Sequence, residues 1–313
     1  MKTMLITGGA GFIGSFLVKN FLADYKIICI VRPSTNLSRL DTVKHKVKFI
    51  YHDIQNSYAD LLEDLKSVDI ILHAGANPSS ESSIKNPVSV VLDNVLGTTH
   101  LLELARQISV ERFVYYSAAE VFGPVQVGTD SSEDDGYWSN SPYAASKAGG
   151  EEMCLAYANT FSIPVSIIHI TNTFGETCQS NRFPVVALKK ILQDEVLKLH
   201  VDSAGLIGGR KWFYAGDVAD HTRFILAYQQ TACEKWNSAG KNFINNLYFA
   251  ENIAQILNKK LQYDLIPIDR PGHDLYFSVT AQKLYDLGWA ESRSFSERLE
   301  QTVLWYLKNQ QWL

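Results

Sequence analysis

The sequence predicts a doubly wound parallel α/β sheet with a smaller C-terminal α/β substrate-binding region, and three observations carry that prediction. Short, continuously apolar runs rich in β-branched residues alternate with helical patterns through the first half. Strands that are apolar on both faces belong to a sheet covered by helices on both sides. The first run, "TMLIT", passes straight into the glycine-rich "GGAGFIGS". The regular rhythm then stops near residue 172, beyond which loops lengthen and the order of elements becomes irregular.

Taken in order, "TMLIT", "KIICIV", "VKFIYH", "DIILHA", "RFVYYSA" and "PVSIIHI" are the strands. Between them, "GSFLVKNFLADY", "VLGTTHLLELARQ" and "SPYAASKAGGEEMCLAYANTF" repeat apolar residues at helical spacing. Ser141 and Pro142 suit the start of the third of these helices, as an N-cap followed by proline at the first helical position. Near the C-terminus, "ENIAQILNKKL" and "SFSERLEQTVLWYL" read as helices; Ser294 and Glu297 have capping-box spacing, and Leu299, Val303 and Leu307 share one face. The organisation expected is a dinucleotide-binding domain over residues 1–172. Residues 173–313 form mainly a substrate-binding region that closes over the sheet's carboxyl edge, with some segments returning to the large domain.

Composition bounds the function. A chain of 313 residues with 46% hydrophobic and 20% charged residues and a formal net charge of −4 has no basic surface to suggest a nucleic-acid or membrane partner. The cysteines, Cys29, Cys154, Cys178 and Cys233, are scattered without metal-ligand or disulfide spacing, and the eight histidines have none either, so no metal is expected. Glycines interrupt "MKTMLITGGAGFIG" before a signal-peptide core can form, and no run reaches the roughly 18 apolar residues of a membrane span. A cytoplasmic protein with reduced thiols is the expectation.

The glycine stretch is the first functional signal. Gly9, Gly11 and Gly14 fit G-x-G-x-x-G, and Gly8, Gly11 and Gly14 fit G-x-x-G-x-x-G, with Phe12 and Ile13 opening the helix between them. Absent side chains tighten the turn and let backbone amides at a helix N-terminus meet a pyrophosphate, as in a Rossmann dinucleotide site. Such a site for NAD carries an acid at the end of the second strand. Here "CIVRPSTN" offers no acid between Ile27 and Asn36 and places Arg32 where a 2′-phosphate can be met, so the cofactor is NADP or NAD, with NADP favoured. Arg32 stacked on adenine or facing solvent suits either cofactor. Asp53, followed by Ile54, ends the third strand, where a carboxylate can accept from the adenine amino group or cap a helix.

Tyr143 and Lys147 lie four residues apart and so share a helix face. A phenol with an ordinary pKa of about 10 is a poor base at neutral pH. A neighbouring ammonium, helped by the positive charge of an oxidised nicotinamide, favours the phenolate.

In chain order, "TGGAGFIGS", "HAGA", "NVLGTTHLLE", "SAAEVFG", "SPYAASKAGG", "TNTFG", "RKWFYAGDVAD" and "DRPGHD" resemble the extended short-chain dehydrogenase/reductase superfamily. Within it they are most similar to the NAD(P)-dependent nucleotide-sugar epimerases and dehydratases, nearest the dTDP-glucose 4,6-dehydratase branch. The resemblance implies transient oxidation at the sugar's C4, with Tyr143 as base and Lys147 holding the nicotinamide ribose. It also implies a homodimer and a nucleotide-diphosphate sugar as substrate. Glu120 falls on the dehydratase glutamate that removes the C5 proton, while Ala118 and Ala119 fall on the hydrogen-bonding serine or threonine and on the aspartate that protonates the departing C6 oxygen. Ser117 is one position early, and side chains alternate along a strand, so it replaces neither unless the strand end is bulged. Three readings stay open: a 4,6-dehydratase with another proton donor; a 4-epimerase or 4-keto reductase for which Tyr143 and Lys147 suffice; and a non-catalytic NADP- and nucleotide-sugar-binding protein. For the diphosphate, the resemblance points to Asn172 in "TNTFG" and Arg210 in "GGRKW". Arg182 in "SNRFP" and Arg270 in "DRPGHD" are further candidates that read equally as surface or salt-bridge residues. His73 and His273 read as hydrogen-bonded structural residues, and the acidic "GTDSSEDDGYW" as a solvated rim or a flap over the sugar.

Overall fold

The computed structural model describes residues 1–228, 233–268 and 275–313. β1 (Thr3–Thr7), β2 (Lys26–Val31), β3 (Lys48–Tyr51), β4 (Ile70–His73), β5 (Arg112–Ala118) and β6 (Val165–Ile170) coincide with the six apolar runs to within two residues at each end. A seventh strand, Glu234–Ser238, joins them in one sheet, ordered Glu234–Ser238, β6, β5, β4, β1, β2, β3, with every pairing parallel. The strand order reverses between β1 and β4, which opens a crevice at their carboxyl ends.

Alternation along the strands sorts the core into two layers. Met4, Ile6, Cys29, Leu72, Tyr116 and Ile168 face helix Phe12–Phe21 and helix Ala215–Ala227. Leu5, Ile28, Ile71, Tyr115 and Ile167 face helices Gly97–Ile108 and Pro142–Phe161. At about 25 cal/mol per Å² of apolar surface, these two layers are the main source of the sheet's stability. Ser141 caps helix Pro142–Phe161 by accepting from the Ala144 amide at 3.1 Å, and the Ser294–Glu297 capping box is formed at the start of helix Phe295–Lys308.

The C-terminal part packs helices Phe183–Leu192, Asn246–Ile256 and Phe295–Lys308 around Phe174, Leu188, Trp212, Phe249, Val303 and Tyr306. Beside them, Leu197–Val201 pairs in parallel with Tyr263–Pro267. Helix Ala215–Ala227 and strand Glu234–Ser238 belong to the large sheet's layers instead. The acidic stretch is exposed over most of its length, as a solvated rim would be, but it is pinned at two of its acids and does not line the cleft. Asp130 pairs with Lys211 at 2.6 Å and accepts from Ser278 at 2.6 Å, and buried Glu133 accepts the Asn237 amide at 2.9 Å. These two acids have partners on three other segments, at Lys211, in strand Glu234–Ser238 and at Ser278, so this part of the stretch is docked while the rest stays exposed.

Candidate active site

A cleft of about 880 Å³ runs along the carboxyl edge of the sheet and under the C-terminal part. One end is built by backbone. Gly8 has a φ of +68°, which glycine adopts without strain. A Cβ on Gly14 would collide with the Gly8 carbonyl, so the helix can approach its turn this closely only as glycine. Gly11 caps helix Phe12–Phe21 without a side-chain hydrogen bond, and the amides of the first turn, Phe12, Ile13 and Gly14, have no intrahelical acceptor. These amides suit a diphosphate, and the donor set therefore fits a dinucleotide. Arg32, exposed at the end of β2, lines the same end of the cleft with Arg39, Asp53 and Ile54. Asp53 accepts the Gln55 amide at 3.0 Å, so one oxygen caps its own turn.

A directed hydrogen-bond chain fixes the cleft's next wall. Thr98 Oγ1 donates to the Asn94 carbonyl at 2.7 Å and lies 3.0 Å from His73 Nε2; Thr7 Oγ1 lies 2.7 Å from His73 Nδ1 and accepts the Gly75 amide at 3.0 Å. The pattern is satisfied by a neutral imidazole protonated on Nε2, and burial pushes His73 down to about 3. The expectation of a structural, hydrogen-bonded His73 is met. Asn94 sits on a π-turn, Leu92–Leu96, accepts the Asn77 amide at 2.8 Å and donates to Ser146 Oγ at 2.9 Å. It clamps the loop after β4 to the helix that carries Tyr143.

That helix is stapled to β5 by three consecutive residues. Tyr115 OH donates to the Lys147 carbonyl at 3.3 Å, Lys147 Nζ donates to the Tyr116 carbonyl at 2.6 Å, and Ser117 Oγ donates to Glu151. Gly150 permits the approach, since a Cβ there would meet the Tyr115 hydroxyl and the Asn94 carbonyl. Tyr143, Lys147 and Glu120 all line the cleft. The electrostatics differ from the sequence expectation. Burial first, and the Glu120 charge second, hold the Tyr143 phenol well above its ordinary range, with Arg182 pulling the other way. Lys147, also fully buried, is lowered to about 7. Desolvation of the phenolate thus outweighs the pull of Arg182, and the protein's own charges leave the phenol above its ordinary range.

Ser117 lines the cleft, but its hydroxyl is engaged behind it. β5 and β6 keep regular register through Ser117↔His169 and Ala118↔Ile170, with no bulge to turn the serine round. Ala119 packs with Val121, Phe122, Phe277 and Val279 in an apolar cluster.

On the opposite wall, Asn172 and Arg182 line the cleft, and Arg182 reaches across it to donate to the Pro78 carbonyl at 3.0 Å. Arg210 does not line it. Its guanidinium donates to the Gly209 carbonyl at 2.6 Å and to the Leu275 carbonyl and lies 4.0 Å from the centroid of Phe277, which does line the cleft. Arg270 and His273 lie outside the described residues. The cleft therefore gathers Gly8, Gly11, Phe12, Ile13, Gly14, Arg32, Asp53, Ile54, Ser117, Glu120, Tyr143, Lys147, Asn172 and Arg182.

The model of the family described as GDP-mannose 4,6 dehydratase matches residues 5–302. The chain belongs to that family. A probable dTDP-glucose 4,6-dehydratase of Sinorhizobium fredii is 30% identical over 99% of this chain and 94% of its own. Among solved structures, the dTDP-glucose 4,6-dehydratase DesIV of Streptomyces venezuelae, with NAD bound, superposes with a TM-score of 0.89 at 29% identity, over 99% of this chain and 98% of its own. UDP-glucuronic acid 4-epimerase of Bacillus cereus, with UDP-glucuronic acid and NAD, gives 0.87 at 25% identity over 99% and 100%. Membership explains the order of the motifs. Not read from the sequence as site residues were Asn94, Arg39 and Glu151. Asn94 had a signal, a polar residue inside an apolar helical run, whereas Glu151 looked like one acid of a solvated helix face.

Proposed function

We propose that this chain is a nicotinamide-dinucleotide-dependent nucleotide-sugar 4,6-dehydratase acting by transient oxidation at the sugar's C4. The observation that carries the reading is the convergence of Tyr143, Lys147 and Glu120 on one cleft with an uncapped glycine turn at its other end. A bound nicotinamide dinucleotide would supply the hydride acceptor and, in its oxidised form, a further positive charge to add to the pull of Arg182 on Tyr143. Tyr143 takes the proton of the C4 hydroxyl, and Lys147 holds the cofactor's ribose. Glu120 removes the proton at C5, which the new ketone acidifies. The C6–O bond would then break, the hydroxyl leaving as water with a proton taken from solvent because Ala119 offers none. The hydride would return to C6 while Glu120, having exchanged with solvent, protonates C5. Asn172 and Arg182 face the substrate's diphosphate, and Arg210 supports that wall through Phe277. The relatives' names and the NAD bound in a neighbour support the same chemistry.

The second reading is a 4-epimerase or 4-keto reductase. It is favoured by Ala118 and Ala119, which leave no side-chain acid where the C6 oxygen departs, and by the apolar cluster around Ala119. Mass spectrometry of the protein incubated with nucleotide sugars in deuterated water separates the two: loss of 18 mass units with deuterium at C5 is dehydration, and an isomer of unchanged mass is epimerisation. Product formed only from a 4-keto sugar with added NADPH is reduction.

NADP is our preferred cofactor, supported by Arg32 and Arg39 at the adenosine end and by the lack of a carboxylate after β2. The working division is residues 1–172 for cofactor and 173–313 mainly for substrate. A homodimer through the large domain is supported by Val88, 65% exposed, with Val91, Leu92 and Leu96 also exposed on consecutive turns beside it. Sedimentation measurements test it. Among the described residues no helix is long and apolar enough to cross a membrane. Four free cysteines suit the cytoplasmic setting expected from the sequence.

A further inference from the structure

Behind the cleft, the carboxyl ends of β5 and β6 enclose ionisable groups that the reaction above leaves unused. His169 on β6 stands beside Ser117 of β5 in the sheet register and is fully buried. Each of its ring nitrogens meets an oxygen: Nε2 lies 2.9 Å from Glu151 Oε2, and Nδ1 lies 2.9 Å from Asn237 Oδ1. Glu151, buried as well, sits on helix Pro142–Phe161 one turn beyond Lys147 and two beyond Tyr143. Asn237 belongs to strand Glu234–Ser238, on the other side of β6.

An imidazole between two oxygens can be neutral only if one of them brings a proton. Asn237 does not. Its amide nitrogen donates to the Thr280 carbonyl at 3.0 Å and to the Ser131 carbonyl at 3.4 Å, so turning the carboxamide over would set its oxygen against two carbonyl oxygens. Glu151 brings none either. Its carboxylate accepts from Ser117 Oγ and, at 2.5 Å, from Tyr137 OH; the Tyr137 oxygen accepts from Lys235 Nζ at 2.8 Å, so the phenol's proton points at Glu151. Burial pushes the Glu151 carboxyl up, and His169, Ser117 and Tyr137 outweigh it and hold it below the usual carboxylate range. A buried ion pair is costly to desolvate and persists where further hydrogen bonds take up the remaining lone pairs, as those of Ser117 and Tyr137 do here.

We propose that His169 is a positioning residue: it is an imidazolium that donates from both ring nitrogens, and its ion pair with Glu151 fixes the helix carrying Tyr143 and Lys147 against the ends of β5 and β6. The inference deepens the reading of Tyr143 and Lys147 as the acid/base pair and takes its functional meaning from it. A fully satisfied buried polar network specifies one arrangement of the elements it joins. Here those elements are two strands whose ends reach the cleft, at Ala118 and Ile170, and the helix that brings Tyr143 and Lys147 to it.

The tests use the full chain at pH 7 without substrate or nucleotide, and both are read by NMR. With ¹⁵N-labelled histidine, His169, assigned by its loss in His169→Gln, shows a bonded proton on each ring nitrogen. A bare nitrogen on that ring overturns the proposal. With lysine labelled with ¹³C at Cε, Lys147, assigned by its loss in Lys147→Met, is displaced from the other lysines by the Tyr115 ring, whose centroid lies 4.0 Å from its Nζ. In folded His169→Gln, which keeps a donor and removes the charge, most of that displacement is lost; His169→Arg, a permanent cation with a planar fork of donors, restores it. An unmoved Lys147 signal in folded His169→Gln overturns the positioning role. Should His169→Gln not fold, His169→Arg supplies the assignment and Asn237→Ala, which withdraws the acceptor at Nδ1, replaces it: a smaller movement of the Lys147 signal supports the role and an unmoved signal overturns it. The mass-spectrometric assay tests the dehydratase reading separately, so failure of one leaves the other standing.

Discussion

The two sides of the β5 end are built on different physics. Toward the cleft stand Tyr143, Lys147, Glu120 and Ala118, with Ala119 beside them packed into an apolar cluster. Away from it, one residue before Ala118 in the alternation, Ser117 joins Glu151, His169, Tyr137 and Asn237 in a buried hydrogen-bond network. The cleft side carries ionisable groups that desolvation shifts from their ordinary range, whereas the inner side gathers several donors on one buried carboxylate.

Substitutions on the two sides separate them. The largest effect is expected for Tyr143→Phe, which removes the proton acceptor from the cleft: turnover falls by about 10³-fold or more, while dinucleotide binding and the thermal midpoint stay unchanged. Full-speed turnover in that variant ends the acid/base assignment. Acidification acts instead on buried histidines elsewhere, His73 on β4 and His221 on helix Ala215–Ala227. Burial holds His73 and His221 down at about 3, so between the ordinary value near 6.5 and about 3 the unfolded chain binds protons that the folded protein refuses, and stability falls as pH drops through that window. Asp217, raised to about 6 by burial against the pull of Arg298, binds a proton earlier in the folded state and offsets part of the loss. Urea unfolding at pH 7 and pH 5 should differ by about 3 kcal/mol in favour of pH 7.

Ser117→Ala sharpens the contrast further. It withdraws a donor from a buried carboxylate, at a cost of about 1–3 kcal/mol in unfolding free energy, with turnover reduced less than in Tyr143→Phe. Loss of turnover at unchanged stability would show that the serine serves the substrate after all. Arg32→Ala, at the far end of the cleft, should weaken NADP by about 10-fold while leaving NAD nearly unaffected, measured by calorimetric titration of both. Equal losses for the two cofactors would remove the case for NADP. Ser294→Ala, remote from both sides, removes a helix cap and lowers stability by about 1 kcal/mol with no change in turnover.

The strands, the glycine turn and the two caps were legible because each is decided within a few residues. Continuous apolar runs, missing side chains at Gly8 and Gly14, and Ser141 before Pro142 leave few local alternatives. The placement of Tyr143 and Lys147 on one face followed from a spacing of four. Arg210 was less legible, because a motif match fixes its position on the chain and not the direction of its fork, which the structure turns onto the carbonyls of Gly209 and Leu275. The docking of two acids in the otherwise exposed acidic stretch was hidden for a related reason. Charge density suggests solvent, but the partners of Asp130 and Glu133 come from residues 81 to 148 positions away.

By itself the sequence determined a sheet of six parallel strands, the glycine cradle at its first turn, and a tyrosine and lysine on one helical face, since periods of two and of about 3.6 residues and the size of a hydrogen atom are local facts. Only the tertiary structure decided which way Ser117 points, that a seventh strand returns from the C-terminal part, and that Tyr143 is pushed away from basicity by its surroundings. Those outcomes depend on desolvation and on partners brought together from distant parts of the chain. Neither is encoded at any single position.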